Sequence, residues 1–326
     1  MQIQDPMVGS SEVFRAFAAE LAQVASTAVT VLLEGESGSG KSRAARTLHA
    51  LGPRVAGPLV SIDLAALSPS LLEAELFGHE AGAFTGAQHA RAGRIRSAAG
   101  GTLVLEGVDR LHGELQVKLL RTLQERTVEP LGGETAVPVD VRLVATCASD
   151  LRAEVEAGRF REDLYWRLAV VTLRVPPLRA RAGDIPELAS HLARVAAERV
   201  GAPARPFTPG ALERLAAHPW PGNVRELENA VERVLVLRPM GEEGEAVAAR
   251  ELDFLSEATR GVATRLARES LAHGIDLESM IQAMMEEALR QQRGNRSAAA
   301  RQLGLSRRAF EYRRSRRAPG SAEGTP

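Results

Sequence analysis

Residues 35–42 read Gly-Glu-Ser-Gly-Ser-Gly-Lys-Ser, which satisfies the pattern G-x-x-x-x-G-K-[ST]. Glycines at Gly35, Gly38 and Gly40 let backbone N–H groups curl around a chain of phosphates. Lys41 offers a positive charge to the outer phosphates, and the Ser42 hydroxyl is a hard donor for magnesium. Glu36, Ser37 and Ser39 fill the variable positions of the cradle. Phosphates and a metal need a carboxylate from a second element. The run LVLEGV at 103–108 ends its apolar stretch on Glu106, the candidate metal-side acid. The following position, where an acid would orient the attacking water, is Gly107, which has no side chain. The chemistry indicated is binding of ATP with Mg2+, with the hydrolytic step in question.

The elements that must hold these residues are legible around them. The segment TAVTVLLEGESGSGKSRAARTLHAL passes from a β-branched strand into a Gly/Ser turn and then into a helix with apolar positions at helical spacing. The N-terminus of that helix points its positive end at the phosphates. A bare glycine-rich turn would not need the Lys-Ser pair at the helix start. LVLEGV follows the turn Gly100-Gly101 and reads as a buried strand of a parallel sheet. The chain has 326 residues, 44% apolar and 25% charged, enough for several globular domains. No run of eighteen apolar residues and no secretory leader is found, so a cytoplasmic protein without a membrane span is expected. A single cysteine, Cys147, excludes an internal disulfide and reads as core.

With these motifs in place, the chain resembles the AAA+ domain of bacterial enhancer-binding proteins, the activators of sigma-54 RNA polymerase. The most specific element is ELFGHEAGAFTGA at 75–87. By itself it is a small-residue loop in which Gly82 and Gly86 bracket an aromatic and a hydroxyl. The resemblance makes it the loop that contacts sigma-54 in the holoenzyme, through Phe84 and Thr85. GRFREDLYWRL carries Arg161 and Arg167 at positions similar to arginine fingers, which reach a neighbouring subunit's site and imply a ring, usually a hexamer. Without the resemblance, either arginine reads as a surface partner of Glu162 or Asp163. LRVPPLRARAGDIPELA and HPWPGNVRELENAVERVL resemble the helical lid, with Arg225 as its nucleotide-sensing arginine and Trp220 as core.

Departures from the family pattern gather around one small volume. Relatives write L-F-L-D-E-I where this chain has LVLEGV. They place an asparagine where IDLAAL has Asp63, and polar sensor residues where VRLVATCASDL has Thr146, Cys147 and Ala148. Loss of a general base typically costs about a hundred- to ten-thousandfold in rate, whereas the phosphate cradle is unaltered. ATP binding is therefore expected, and turnover depends on whether Asp63 from the neighbouring strand or Asp109 from the turn beyond Gly107 replaces the missing acid. Spacing does not choose between them.

The C-terminal end is a separate electrostatic object. From Leu289 to Arg317 there are ten arginines and one acid, Glu311, although the whole chain has no net charge. IDLESMIQAMMEEALRQQRGNRSAAARQLGLSRRAFEYRRSRR reads as three helices. The first has an apolar stripe at Ile281, Met284, Met285, Ala288 and Leu289, and a break follows at Gly294-Asn295. A short second helix spans Ala298 to Leu303 and closes at Gly304, and a last one is capped by Ser306. It resembles the Fis-type helix-turn-helix, whose dimers bind two-fold symmetric double-stranded DNA. Arg307 and Arg308 would face base edges, with Arg313, Arg314 and Arg317 nearer phosphates, and Ser306 and Tyr312 complete the DNA-binding set.

The expected organisation is an α/β P-loop AAA+ domain with a parallel sheet flanked by helices (7–172), an α-helical lid (173–238), a linker (239–275), an all-α helix-turn-helix domain (276–317) and a disordered tail (318–326). The resemblance starts at about Met7, leaving no room for a receiver, PAS or GAF domain, so control is expected from a partner protein, from expression level or from nothing. Two readings follow. One is an ATP-hydrolysing activator of sigma-54 holoenzyme, and the other is a nucleotide- and DNA-binding regulator without effective hydrolysis, an antagonist or a passive subunit of a mixed ring. The 75–87 loop disfavours a helicase or protease-associated motor.

Overall fold

The computed structural model describes residues 7–84, 87–201, 203–237, 246–255, 269–292 and 294–315. Thr85, Arg317 and the 318–326 segment lie outside the described residues. The chain divides into two compact units, Met1–Leu252 and Asp253–Pro326.

Five strands build the main sheet of the first unit: β1 (Val31–Glu34), β2 (Leu59–Asp63), β3 (Thr102–Glu106), β4 (Arg142–Cys147) and β5 (Val171–Arg174). They form one parallel sheet in the order β2-β3-β4-β1-β5. Every residue of β1 and β4 is buried, as continuous apolar runs require in a sheet covered on both faces. Successive residues point to opposite faces. Thus Leu32, Leu105 and Ala145 meet Leu72, Leu76, Leu119 and Leu164, whereas Leu33, Val104 and Val144 meet Phe17, Leu21, Ala45 and Leu48. Cys147 lies in the first of these cores, and burial pushes its thiol up to about 12, so it stays neutral and serves as packing.

One buried cation ties the sheet to its helices. Arg142 opens β4 and donates through Nη1 to the carbonyls of Ala25 and Leu48 and through Nη2 to that of Val24. These carbonyls end or nearly end the helices Glu12–Ala25 and Lys41–Ala50, where the partial negative charge of the helix ends favours a cation. The helix carrying Lys41 is thereby fixed at its far end.

The lid comprises helices Ile185–Val200, Pro209–Ala217 and Asn223–Leu237. Trp220 is fully buried and donates its indole N–H to Leu215 O, in agreement with its reading as core. Of the linker expected over 239–275, residues 239–245 and 256–268 lie outside the described residues. Residues 246–252 pack on the lid: Val247 and Leu252 are buried, Val247 exchanges backbone hydrogen bonds with Pro206 and Thr208, and Glu251 pairs with Arg205 at 3.1 Å. Its glycines and acids masked the few apolar anchors.

The second unit contains helices Leu277–Gln291, Arg296–Gln302 and Arg307–Ser315. Asp276 and Asn295 cap the first two through Ser279 N and Ala298 N, and the Ser306 hydroxyl accepts from Ala309 N at the third. The Asn295 cap starts the middle helix two residues before the expected Ala298. Met285, Ala288, Ala299, Ala300 and Phe310 form the core, while Met284, expected in the apolar stripe, is exposed. Among the described residues, no helix is long and apolar enough to cross a membrane.

Phe310 is the one large side chain buried completely in this small core. Phe310→Ala is expected to destabilise the second unit by about 3 kcal/mol. Calorimetry should show loss or lowering of one unfolding transition, with that of the first unit unchanged.

Candidate nucleotide site

The loop Gly35–Gly40 leaves the carboxyl end of β1, between β4 and β5, where open parallel sheets form their ligand crevice. Gly38 and Gly40 have φ of +74° and +109°, conformations that disfavour side chains. A Cβ at Gly38 would also collide with the Gly222 carbonyl of the lid. Helix Lys41–Ala50 follows directly, so its first N–H groups face the cleft. Ser39 is buried with its hydroxyl unpartnered among the described residues. Lys41 donates from Nζ to Gly35 O at 2.6 Å and Glu36 O at 2.9 Å. Burial holds its pKa below the usual lysine value.

Strand register brings the acids to this loop. Asp63 at the end of β2, Glu106 at the end of β3 and Thr146 on β4 are Cα partners in one row across the sheet. The Ser42 hydroxyl donates to Glu106 Oε2 at 2.5 Å, and Ser61 on β2 donates to Oε1 at 2.6 Å. Both oxygens of the longer acid are thus fixed beside the loop hydroxyl. A hydroxyl and a carboxylate meeting at the phosphate loop form the oxygen donor set that suits magnesium, so Ser42 and Glu106 fit this metal. Gly107 takes the left-handed conformation, φ +78° and ψ +46°, and its N–H donates to Thr146 O at 2.8 Å. The chain then enters the turn Val108–Arg110, with Val108 fully buried.

A cleft of about 330 Å3 contains these groups, lined by Lys41, Ser42, Asp63, Glu106, Asp109 and Arg225 among others. Of the two proposed substitutes for the missing acid, Asp63 is exposed and accepts from Ala65 N in its own turn at 2.9 Å. Asp109 is held through Oδ2 by Ser149 Oγ at 2.9 Å, with its side chain only 6% exposed.

The lid reaches the same loop. Arg225 donates to Ser37 Oγ at 3.2 Å, and Val224 N donates to Gly38 O. Two lid contacts were not foreseen. Asn223 donates to Ser37 O and Glu36 Oε2, while Arg179 grips both Glu36 oxygens at 2.5 and 2.6 Å and holds that carboxyl below its ordinary range. The signal was present in the quoted lid motifs, but pairing them with Glu36 requires the fold. Ser61 was likewise unremarked, since only strand register places it against Glu106.

Arg161 and Arg167 are not part of the cleft lining in this chain. Arg161 forms a bidentate pair with Asp163 at 2.7 and 3.0 Å, and Arg167 donates to Leu123 O at 2.8 Å. The Asp163 partner is the one anticipated for an isolated surface arginine.

Phe84 stands at a loop tip, 42% exposed, with its ring edge-on to His79 at 5.0 Å. The loop is closed by Gly82 N donating to Ala87 O. Its stem, the antiparallel pair Gly78–His79 with Arg91–Ala92, is bound to the turn at 131 through Leu131 N to Gly78 O and Glu80 N to Leu131 O. In the second unit, Arg307, Arg308, Tyr312, Arg313 and Arg314 are all exposed on the last helix, Arg307 pairing with Glu311 at 3.1 Å.

Comparison with known proteins places families on these parts. The Sigma-54 interaction domain matches residues 7–174, the AAA+ ATPase lid domain 179–265, and the bacterial regulatory protein, Fis family, 278–316. The transcriptional regulatory protein ZraR of Escherichia coli K12 is 45% identical over 313 residues, covering 95% of this chain and 68% of that protein. The crystal structure of NtrX from Brucella abortus in complex with ADP superposes with a TM-score of 0.71 at 33% identity, over 97% of this chain and 69% of that one. Its complex with ATP gives 0.70 at 32%, over 96% and 69%.

Ser61 is expected to position Glu106 for the metal. Ser61→Ala should weaken Mg2+ binding in the presence of ATP about tenfold, while ATP binding in EDTA remains within twofold. Titration calorimetry with and without Mg2+ measures both.

Proposed function

The chain belongs to the sigma-54-dependent AAA+ transcriptional regulators, and from that premise we propose that it is a nucleotide-gated, DNA-bound regulator of sigma-54 holoenzyme with a slowed hydrolytic step. The observation that carries this reading is the Ser42–Glu106–Ser61 contact beside the Lys41 loop, a metal and phosphate site that keeps its donors. ATP phosphates take the backbone N–H groups of 35–42 and draw Lys41 Nζ from its two carbonyls to the outer phosphates. Ser42 and Glu106 hold Mg2+, which offsets phosphate charge when bound. Arg225 and Asn223 carry the state of the loop to the lid.

The slow step follows from position 107. Glycine offers no group to orient water, and Thr146, Cys147 and Ala148 supply few polar sensors. We read the site as a degenerate version of the family's metal-acid and sensor motifs. A protein that bound ATP without turning it over would act as an antagonist or as a passive subunit in a mixed ring, and the ATPase rate separates the two readings.

Phe84 and Thr85 engage sigma-54, with Phe84 already presented to solvent on a closed loop. Arg161 and Arg167 act in trans in a ring, a hexamer by family analogy. Arg161 exchanges Asp163 for a neighbour's phosphates, an exposed pair that costs little to break. The helix capped by Ser306 enters the major groove of double-stranded DNA, with Arg307 and Arg308 at base edges and Tyr312, Arg313 and Arg314 at the backbone. Two such helices in a dimer meet a symmetric site.

Phe84→Ala should abolish activation of a sigma-54 promoter in a purified transcription assay, leaving ATP and DNA affinities unchanged. Retained activation would remove the loop from the contact. Arg308→Ala should weaken the specific DNA complex by about 1–3 kcal/mol and relax sequence preference, measured by competition binding at fixed salt. Wild-type turnover is expected about a hundredfold or more below that of a family member with an acid at the position of Gly107. Equal rates would refute the slowed step.

A further inference from the structure

Four carboxylates line the nucleotide cleft, Asp63, Glu106, Asp109 and Glu228, and the structure distinguishes them by how their oxygens are satisfied. Glu106 is held at both oxygens by Ser42 and Ser61. Asp63 is exposed and fastened to its own turn. Glu228 faces Arg199 at 3.7 Å. Asp109 differs from the other three. Its side chain is more than nine-tenths buried, Oδ2 accepts from Ser149, and Oδ1 is buried with no hydrogen-bond donor among the described residues. Arg110 comes only to 4.0 Å, and to Oδ2.

Burying a carboxylate oxygen without a donor is unfavourable, and folds tolerate it mainly where a ligand or water completes the shell. The backbone explains how the acid comes to stand there. Gly107 in its left-handed conformation ends β3 and lets the chain close the turn Val108–Arg110, with Arg110 N donating to Gly107 O. Val108 anchors that turn in the core, and Ser149, just beyond β4, anchors Asp109. The negative charge is felt at Lys41, where it opposes the larger effect of burial on the lysine's pKa.

Resting on the reading of this cleft as a Mg·ATP site, we propose that Asp109 is the water-orienting carboxylate of this chain, displaced two residues along from the position occupied by Gly107. Once the Asp109 side chain turns Oδ1 from its buried position into the cleft, that oxygen accepts a proton from the attacking water as the water oxygen bonds to the terminal phosphorus. The bond from that phosphorus to the bridging oxygen breaks, and its electron pair leaves on ADP. Products are ADP and inorganic phosphate, and the proton returns from Asp109 to solvent. Tethering to Ser149 leaves the carboxylate less free than a dedicated base, which accounts for a slow rather than absent step.

The test uses the full chain, a fluorescent non-hydrolysable ATP analogue for binding and phosphate release for turnover. Asp109→Asn keeps the volume and the Ser149 contact. It is expected to bind the analogue with unchanged or slightly higher affinity and to lose about a hundredfold in turnover. Retained binding of the analogue shows that the variant is folded. Unchanged turnover in Asp109→Asn, loss of analogue binding in that variant, or a wild type that binds ATP but releases no phosphate would each overturn the assignment. The last outcome would leave the ATP site itself standing, whereas failure of the wild type to bind the analogue would remove that site as well.

Discussion

The position of the Glu106 carboxylate is the constraint from which the rest of the cleft follows. One oxygen takes a hydrogen bond from the phosphate loop and the other from the neighbouring strand, so β1, β2 and β3 are brought to a common point at their carboxyl ends. A glutamate carries an extra methylene compared with an aspartate, and a freely rotating one would hold a metal poorly. Ser61 removes that freedom. The strand register that aligns Asp63, Glu106 and Thr146 thus fixes where these side chains start at the cleft.

The same loop links the cleft to its lid. Glu36, Ser37 and Gly38 each meet a lid residue, through Arg179, Asn223, Arg225 and the backbone of Val224. Arg179 holds Glu36 by two short, charge-assisted bonds and the others are of ordinary length, so occupation of the loop by phosphates changes what the lid must hold. Gly38 is needed here for closeness as much as for its positive φ, since any side chain would strike Gly222. The loop bearing Phe84 uses a different support, the turn at Leu131, and leaves that aromatic partly exposed, edge-on to His79.

How much of this was legible in the sequence depended on whether a property is local. The Lys41 loop, the strand ending on Glu106 and the Ser306 cap are short-range patterns, and each stands where it was expected. Properties set by register or by distant pairing were not readable. Ser61 is an ordinary strand serine until β2 lies beside β3, and Arg179 and Asn223 are lid residues until they close on Glu36. The contacts of Val247, Leu252 and Glu251 escaped because composition gave the segment the look of a linker. Asp63 and Asp109 were equivalent by spacing, and only burial and hydrogen bonding separate them.

Division of labour between the two acids can be seen directly. A crystal structure of the full chain with Mg2+ and a non-hydrolysable ATP analogue should place the metal at about 2.1 Å from Ser42 Oγ. Glu106 should hold it directly or through one water, and Asp109 should face the water opposite the bridging oxygen. A metal bound away from Ser42 and Glu106, with the Ser42–Glu106–Ser61 hydrogen bonds intact, would contradict this account of the site.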